Sequence, residues 1–176
     1  MSICPCATAR GRPSPPDPEG HATTFGESIK TVYTKYATFS GRASRSEFWW
    51  YSLFYYAIGL GFDFLLPELG NIWTFANFAP LLAVTARRLH DTNRSGWWQA
   101  LPLIGLPLAA YGAFDFFNDP LMSMTDLLLN PLFLIGAVIV LGTYILLIVW
   151  WATPGTHGAN RFGEDPLGRT EADVFD

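Results

Sequence analysis

The sequence has few charged residues: Asp, Glu, Lys and Arg make up 15% of its 176 residues, against about 25% in a typical soluble domain. Half of the residues are hydrophobic, so lipid is expected to surround much of the chain. The net charge is −4, which provides no basic surface for a nucleic-acid partner. The composition therefore predicts a membrane protein that does not bind nucleic acid.

Cysteine is also scarce, and the familiar catalytic motifs are missing. Cys4 and Cys6 are the only cysteines, and the single residue between them would strain a disulfide. No third cysteine or histidine lies close enough in sequence to suggest a metal site. The chain lacks a Walker loop, an HExxH or GxGxxG motif, and a serine in a nucleophile elbow. We therefore expect no cofactor and no enzymatic activity.

Two terminal segments are expected to lie outside the membrane. Residues 1–24 contain five prolines and no apolar run of the kind found in signal peptides, which predicts a disordered cytoplasmic tail. Residues 169–176 are predicted to form an acidic C-terminal tail. The membrane domain is expected to occupy residues 25–168.

Four hydrophobic segments in this domain meet or approach the roughly 20 residues that a helix needs to cross the hydrocarbon core. They are residues 48–66, 70–86, 97–117 and 131–152. Tryptophans cluster at their ends, as in an aromatic belt: Trp49, Trp50, Trp97, Trp98, Trp150 and Trp151. The sequence thus predicts an all-α membrane protein with four transmembrane helices.

An amphipathic helix is expected before the first span. In residues 25–39, apolar side chains recur at helical spacing, while Glu27, Lys30 and Lys35 fall mostly on the other side. Such a helix could lie in the membrane interface or pack against its own protein. The sequence leaves both alternatives open.

The distribution of charge predicts the orientation of the chain. With four spans, every Lys and Arg lies on the side that holds both termini and the loop at 87–96. The opposite loops carry only Glu68, Asp119 and Asp126. By the positive-inside rule, both termini are expected in the cytoplasm.

Three polar blocks carry a family resemblance: FSGRASRSEFWW at 39–50, ARRLHDTNRSGWW at 86–98 and PGTHGANRFGEDP at 154–166. They resemble, in order, the signature blocks of the bacterial family catalogued as domain of unknown function 805. The resemblance covers about residues 25–168 and implies a small polytopic inner-membrane protein, with no established activity, substrate or cofactor. Two features depart from the family: the Pro-rich extension at 1–24, which would also fit an upstream start, and a longer region between the second and third blocks.

The three blocks are predicted to meet at the cytoplasmic membrane surface. Their candidate site residues are Arg42, Arg45, Glu47, Arg87, Arg88, His90, Asp91, Arg94, Asn160, Arg161 and Asp165. One interpretation is a structural clasp, in which Glu47, Asp91 and Asp165 neutralise the arginines. Another is a site for an anion such as a lipid headgroup. Catalysis is the third, and is disfavoured because adjacent His90 and Asp91 point in different directions on a helix.

Three finer expectations concern individual residues. Arg87 and Asp91 stand at i,i+4 and can pair, and Asn93 or Ser95 can cap the following helix. His157 could join His90 and Asp91 as a metal set, but the glycine-rich segment around it does not support that spacing.

Asp63 and Asp115 are acidic residues within predicted spans. They are candidates for proton or cation transport, although each is expected roughly 22–27 Å from the cytoplasmic tryptophans, near the outer interface.

These features favour a non-enzymatic inner-membrane protein, either a structural or an accessory subunit. Its cytoplasmic face would bind a membrane-protein partner or anionic lipid. The alternatives are a small transporter or channel that works as a homo-oligomer, and a lipid-modifying enzyme.

Overall fold

A computed structural model describes residues 23–119 and 121–169, without the side chain of Asp115. The predicted tails at 1–24 and 169–176 fall almost entirely outside this part of the chain. The described residues form seven α-helices and no β-strand. The helices are α1 Phe25–Thr34, α2 Arg45–Leu65, α3 Pro67–Asp91, α4 Pro102–Gly112, α5 Phe114–Asn118, α6 Met124–Leu129 and α7 Pro131–Ala152, with a 3-10 helix at Gly96–Ala100 before α4.

Local sequence determines where several helices begin. The hydroxyl of Ser44 accepts the N–H of Glu47 and caps α2, and Asn130 caps α7 directly before Pro131. Both follow the usual preference for a short polar cap at a helix N-terminus and for proline at its first position. At α6, hydrogen bonds from Ser123 hold the pKa of Asp126 below its usual value.

The first half of the chain is a helical hairpin crossed by α1. Only Leu66 separates α2 from α3, because Pro67 begins a new helix at once. Val32 of α1 is fully buried in a core that includes Tyr51 of α2 and Val84 of α3. Of the two alternatives for the amphipathic helix, packing against its own protein is therefore observed.

The second half is an antiparallel pair in which the backbones of α4 and α7 touch. A β-carbon on Gly136 would lie 2.3 Å from the backbone nitrogen of Ala109, and one on Gly112 would lie 2.2 Å from that of Phe133. At the other end of the pair, the rings of Trp98 and Trp150 are 5.6 Å apart. Small residues thus allow this close approach, as in many membrane helix pairs.

The prediction of one continuous helix over 97–117 is wrong. The segment is divided into the 3-10 helix, α4 and α5, which join at Leu101 and Ala113, where φ and ψ stay in the right-handed helical region. Pro102 has no N–H to continue a preceding helix and starts α4 instead. The pattern of apolar residues gave the correct location of the segment but did not reveal this division.

Two of the described helices, α3 and α7, are both long and apolar enough to cross a membrane. They correspond to the predicted spans at 70–86 and 131–152. The predicted span at 48–66 forms the 21-residue helix α2, whose tyrosines, tryptophans and Asp63 lower its hydropathy. By length and composition the structure therefore provides two spans where the sequence predicted four. Large apolar side chains are nevertheless exposed throughout, including Phe64 at 85% and Phe75 at 81%.

Candidate functional site

The three polar blocks meet at one end of the helices, where α2 begins and where α3 and α7 end. At the centre, the carboxylate of Asp91 lies between Arg42 and Arg88. The Nε of Arg42 donates to Asp91 Oδ1 at 2.9 Å, and Nη1 of Arg88 donates to Oδ2. All three side chains are at most 3% exposed. We call these three residues the arginine clasp.

The remaining guanidinium N–H groups of the clasp donate to backbone carbonyls of the third block and of α7. Arg42 Nη1 donates to Gly158 O at 2.6 Å. Arg88 donates to the carbonyls of Trp151 and Thr153, where α7 ends. Carbonyls at a helix C-terminus have no partner within the helix, so a buried arginine both satisfies them and complements the helix dipole. The clasp thus ties α3 to α7 and to the loop before α2.

The backbone of the third block is held against Asp91 so closely that only glycine fits. A β-carbon on Gly155 would lie 2.0 Å from Asp91 Oδ2. The next residue, Thr156, donates its N–H to the backbone carbonyl of Asp91 at 2.9 Å. The glycine in this block is therefore explained by close approach to the clasp.

A second ion pair joins α2 to α3. Arg87 Nη1 donates to Glu47 Oε1 at 2.7 Å, and both side chains are buried. The Nε and Nη2 of Arg87 have no hydrogen-bond partner among the described residues. The expected Arg87–Asp91 pair is wrong, because Asp91 turns toward Arg42 and Arg88 while Arg87 faces α2.

The histidine of the second block is part of a stack. The ring of His90 lies parallel to that of Phe162, with centroids 3.9 Å apart. The guanidinium of Arg161 lies 4.7 Å from the centroid of the Phe162 ring. His90 Nδ1 is 3.0 Å from the carbonyl oxygen of Gly41, which can only accept, so Nδ1 is the protonated nitrogen. Asn160 donates to the carbonyl of His90 at 3.0 Å. These contacts give His90 a positioning role within the fold.

The other candidates are placed less centrally. Asp165 pairs with Arg169 at 2.9 Å, so the expectation that it neutralises arginines of the first two blocks is wrong. Arg94 lies over the ring of Trp150 at 4.7 Å. Ser95, one of the two expected caps, accepts from Trp97 N and begins the 3-10 helix. Arg45 is exposed, and no acidic side chain pairs with it within the described residues.

The acidic and metal candidates lie apart from the clasp. Asp63 is exposed near the end of α2, and its carboxylate occupies the space that a β-carbon on Gly70 would need. The side chain of Asp115 lies outside the described part. His157 is exposed. In residues 23–119 and 121–169, no three His, Cys, Asp or Glu side chains are grouped in a way that could hold a metal ion.

Sequence reasoning missed a buried polar network on α3. Asn77 is 3% exposed and accepts hydrogen bonds from Tyr33 of α1 at 2.6 Å and from Tyr51 of α2 at 3.2 Å. Burial raises the pKa of the Tyr33 hydroxyl, which keeps it protonated as a donor. The available signal was an asparagine within a predicted span, since such a residue needs a partner in an apolar environment.

The all-helical architecture, the exposed apolar surface and the polar end together define a helical membrane protein. The chain belongs to the family described as "Protein of unknown function (DUF805)", which it matches over residues 36–164. This confirms the family that the sequence resembles.

The curated relatives include Inner membrane protein YhaI of Escherichia coli (strain K12), 32% identical over 148 residues that cover 77% of this chain and 92% of the relative. Inner membrane protein YhaH of the same organism is 32% identical over 146 residues, with the same coverage of 77% and 92%. Uncharacterized protein YiiR of that organism is 30% identical over 134 residues, which cover 73% and 85%. No solved structure matches. The chain is thus an inner-membrane protein of a family with no established function.

Proposed function

We propose that the chain is a non-enzymatic, four-pass inner-membrane protein that binds an anionic lipid headgroup at its cytoplasmic face. The observation that carries this proposal is Arg45, an exposed arginine that has no acidic partner among the described residues and lies beside a buried cluster of arginines. Both termini lie in the cytoplasm, and α1 lies across the α2–α3 hairpin at the cytoplasmic side of the membrane.

The arrangement of the helices supports four passes. The α2–α3 hairpin supplies two, and α7 supplies one. The third pass consists of the 3-10 helix, α4 and α5, and its first two parts follow α7 from Trp150 to Phe133. The basic residues Arg42, Arg45, Arg87, Arg88, Arg94 and Arg161 lie at the end of the helices where α3 and α7 finish. The positive-inside rule then assigns this end to the cytoplasm.

Single cysteines test this topology after Cys4 and Cys6 are replaced by serine. We expect Asp119→Cys to react with a membrane-impermeant maleimide in intact spheroplasts, because its loop lies outside. Glu164→Cys, in the exposed third block, should react only after the membrane is permeabilised. Labelling of Glu164→Cys in intact spheroplasts would contradict the cytoplasmic location of the C-terminal segment.

The anion site is a cavity of about 220 Å³ at the first turn of α2, lined by Ser44, Arg45, Ser46 and Arg169 together with Asp91, Gly155 and Leu167, and the carboxylate of Asp91 is already paired with the clasp arginines. Nearby, within the described residues, the four arginines Arg42, Arg45, Arg87 and Arg88 are accompanied by two paired carboxylates, those of Glu47 and Asp91, which leaves a formal charge of about +2 in this region. An unpaired arginine in the first turn of a helix is itself unfavourable, since the helix dipole is positive there. A bound phosphate would relieve both effects.

Native mass spectrometry of the full-length protein in mild detergent tests the anion site directly. We expect phosphatidylglycerol to bind more tightly than zwitterionic phosphatidylethanolamine. Arg45→Gln should weaken phosphatidylglycerol binding about five-fold, since one basic residue near an anionic membrane surface contributes about 1 kcal/mol.

Lys30→Gln is the matched control, because it removes one exposed positive charge from α1, away from the cavity. It should leave the affinity unchanged. Equal binding by the wild type and Arg45→Gln would contradict the anion site. A stoichiometric copurifying protein that Arg45→Gln releases would instead assign this surface to a protein partner.

A catalytic function gains no support from the described residues. His90 and Asp91 are directed to different partners, and both clasp arginines are satisfied by groups of the same chain. Asp63 lies at the end of α2 opposite the polar blocks, so it does not form a pathway with them. We therefore propose neither a transporter nor a lipid-modifying enzyme.

A further inference from the structure

A second cavity, separate from the clasp and from the anion site, lies between α2, α3 and α7. Its volume is about 310 Å³, well above the ~10–15 Å³ that a cavity needs to hold one water molecule. Its walls are mostly apolar and include Leu81 and Leu147. Tyr56 and Tyr144 also line it, and since they are 65% and 49% exposed, the cavity opens onto the outer surface of the helices.

The cavity also contains polar groups that the rest of the chain leaves unsatisfied. Ser52 is 7% exposed, and its hydroxyl makes no hydrogen bond with any described residue. The indole N–H of Trp151 is buried and likewise has no partner in the described part of the chain. The side-chain Oε1 of Gln99 lies 2.7 Å from the hydroxyl of Thr85, and its amide NH₂ makes no hydrogen bond with a described residue. A buried polar group without a partner costs about 1–3 kcal/mol, so the buried indole N–H, with two further polar groups in the same cavity that have hydrogen-bonding capacity to spare, indicates a missing ligand.

The chemistry of these groups restricts what can bind. The indole and the amide NH₂ can only donate, the hydroxyl can donate, and none of the three is charged. They therefore match an uncharged acceptor oxygen carried by an apolar molecule, such as a carbonyl on a long hydrocarbon chain.

The depth of the cavity in the membrane indicates which molecule provides that carbonyl. Thr85 precedes Arg88 by three residues and Ser52 follows Glu47 by five, so at 1.5 Å per residue both lie within about 10 Å of the buried charges. Trp97 and Trp98, which precede Gln99, are the interfacial aromatics of this end. Ester carbonyls of glycerolipids occur at this level, between the headgroups and the acyl chains.

We propose that this cavity is a lipid site that holds the ester-linked acyl chain of a glycerophospholipid, with Ser52, Gln99 and Trp151 providing the donors for the oxygens of the ester group. The acyl chain lies along Leu81 and Leu147 and leaves between Tyr56 and Tyr144. The proposal depends on the location in the inner membrane and not on the anion site, because it concerns the ester and not the headgroup.

A pair of lipids that share a headgroup and differ only in the ester tests the proposal. Diacyl phosphatidylglycerol and its dialkyl-ether analogue, which has no carbonyl, are titrated separately into the delipidated full-length protein and counted by native mass spectrometry. We expect the diacyl lipid to bind about three- to ten-fold more tightly, the range for one neutral hydrogen bond. In Trp151→Phe and Gln99→Leu, the ratio of the affinity for the diacyl lipid to that for the ether lipid should fall toward one.

Trp150→Phe is the matched control, because it makes the same change one residue away in a side chain that does not line the cavity. It should keep the preference for the ester lipid. Equal binding of ester and ether lipids by the wild type would overturn the proposal, even if both bind through their headgroups. A quinone that copurifies with the wild type and is lost in Trp151→Phe would overturn the assignment of the occupant.

Discussion

Asp91→Asn is expected to lower the free energy of unfolding by about 3–5 kcal/mol, the cost of removing one partner from a buried ion pair. The substitution keeps the size of the side chain but leaves Arg42 and Arg88 buried without a carboxylate. Since these arginines connect the first block, α3 and the end of α7, the loss should affect the whole helical assembly. Reversible unfolding by SDS in mixed micelles provides the measurement.

Glu164→Gln is the control for this variant. It makes the same acid-to-amide change in the third block at an exposed position. Its free energy of unfolding should remain within about 0.5 kcal/mol of the wild type, as for most surface substitutions. An Asp91→Asn protein as stable as Glu164→Gln would show that the clasp does not stabilise the fold.

Gly136→Ala is expected to separate α4 from α7 and to lower the free energy of unfolding by about 1–3 kcal/mol. The new methyl group would lie 2.3 Å from a backbone nitrogen of α4, which no change of rotamer can relieve. In a membrane, helix pairs depend on close packing, so the separation removes the main contact between these two helices. The same unfolding experiment measures the effect.

Gly142→Ala makes the identical change in the same helix, where nothing lies within 4 Å of the added carbon. Alanine favours a helix over glycine by about 1 kcal/mol, so this control should be neutral or more stable than the wild type. Equal effects of the two substitutions would mean that α4 and α7 do not pack through Gly136.

The sequence predicted α7 to the residue, and the physical reason is clear. Pro131 begins an uninterrupted apolar segment, which ends at Ala152 before the polar third block. Hydropathy alone was insufficient for the segment at 97–117, because Pro102 divides a run that has the composition of one span. Composition reports what surrounds a segment, whereas the division before α4 depends on the missing N–H of one residue, Pro102.

The sequence predicted which residues lie in the polar cluster better than it predicted which of them form ion pairs. The blocks gave Arg42, Arg88 and Asp91 as members of one polar cluster, and the structure brings them together. Which arginine meets which carboxylate depends on the rotation of α3 and on the path of residues 39–44. Helical spacing permits Asp91 to pair with either Arg87 or Arg88, so tertiary contacts decide between them.

The cavity between α2, α3 and α7 could not be predicted from the sequence. Ser52, Gln99 and Trp151 come from three different segments, and none belongs to a recognisable motif. Their importance follows only from the hydrogen bonds that they do not make, which is a property of the packed structure.

A double-mutant cycle on Arg42 and Asp91 tests most directly the central claim that the polar blocks form an internal clasp. The free energies of unfolding of Arg42→Gln, Asp91→Asn and the double variant are compared with that of the wild type. We predict a coupling energy of about 1–3 kcal/mol, with the double variant losing less stability than the two single variants combined. A coupling energy near zero would show that the two side chains do not stabilise the protein together, and would contradict the clasp.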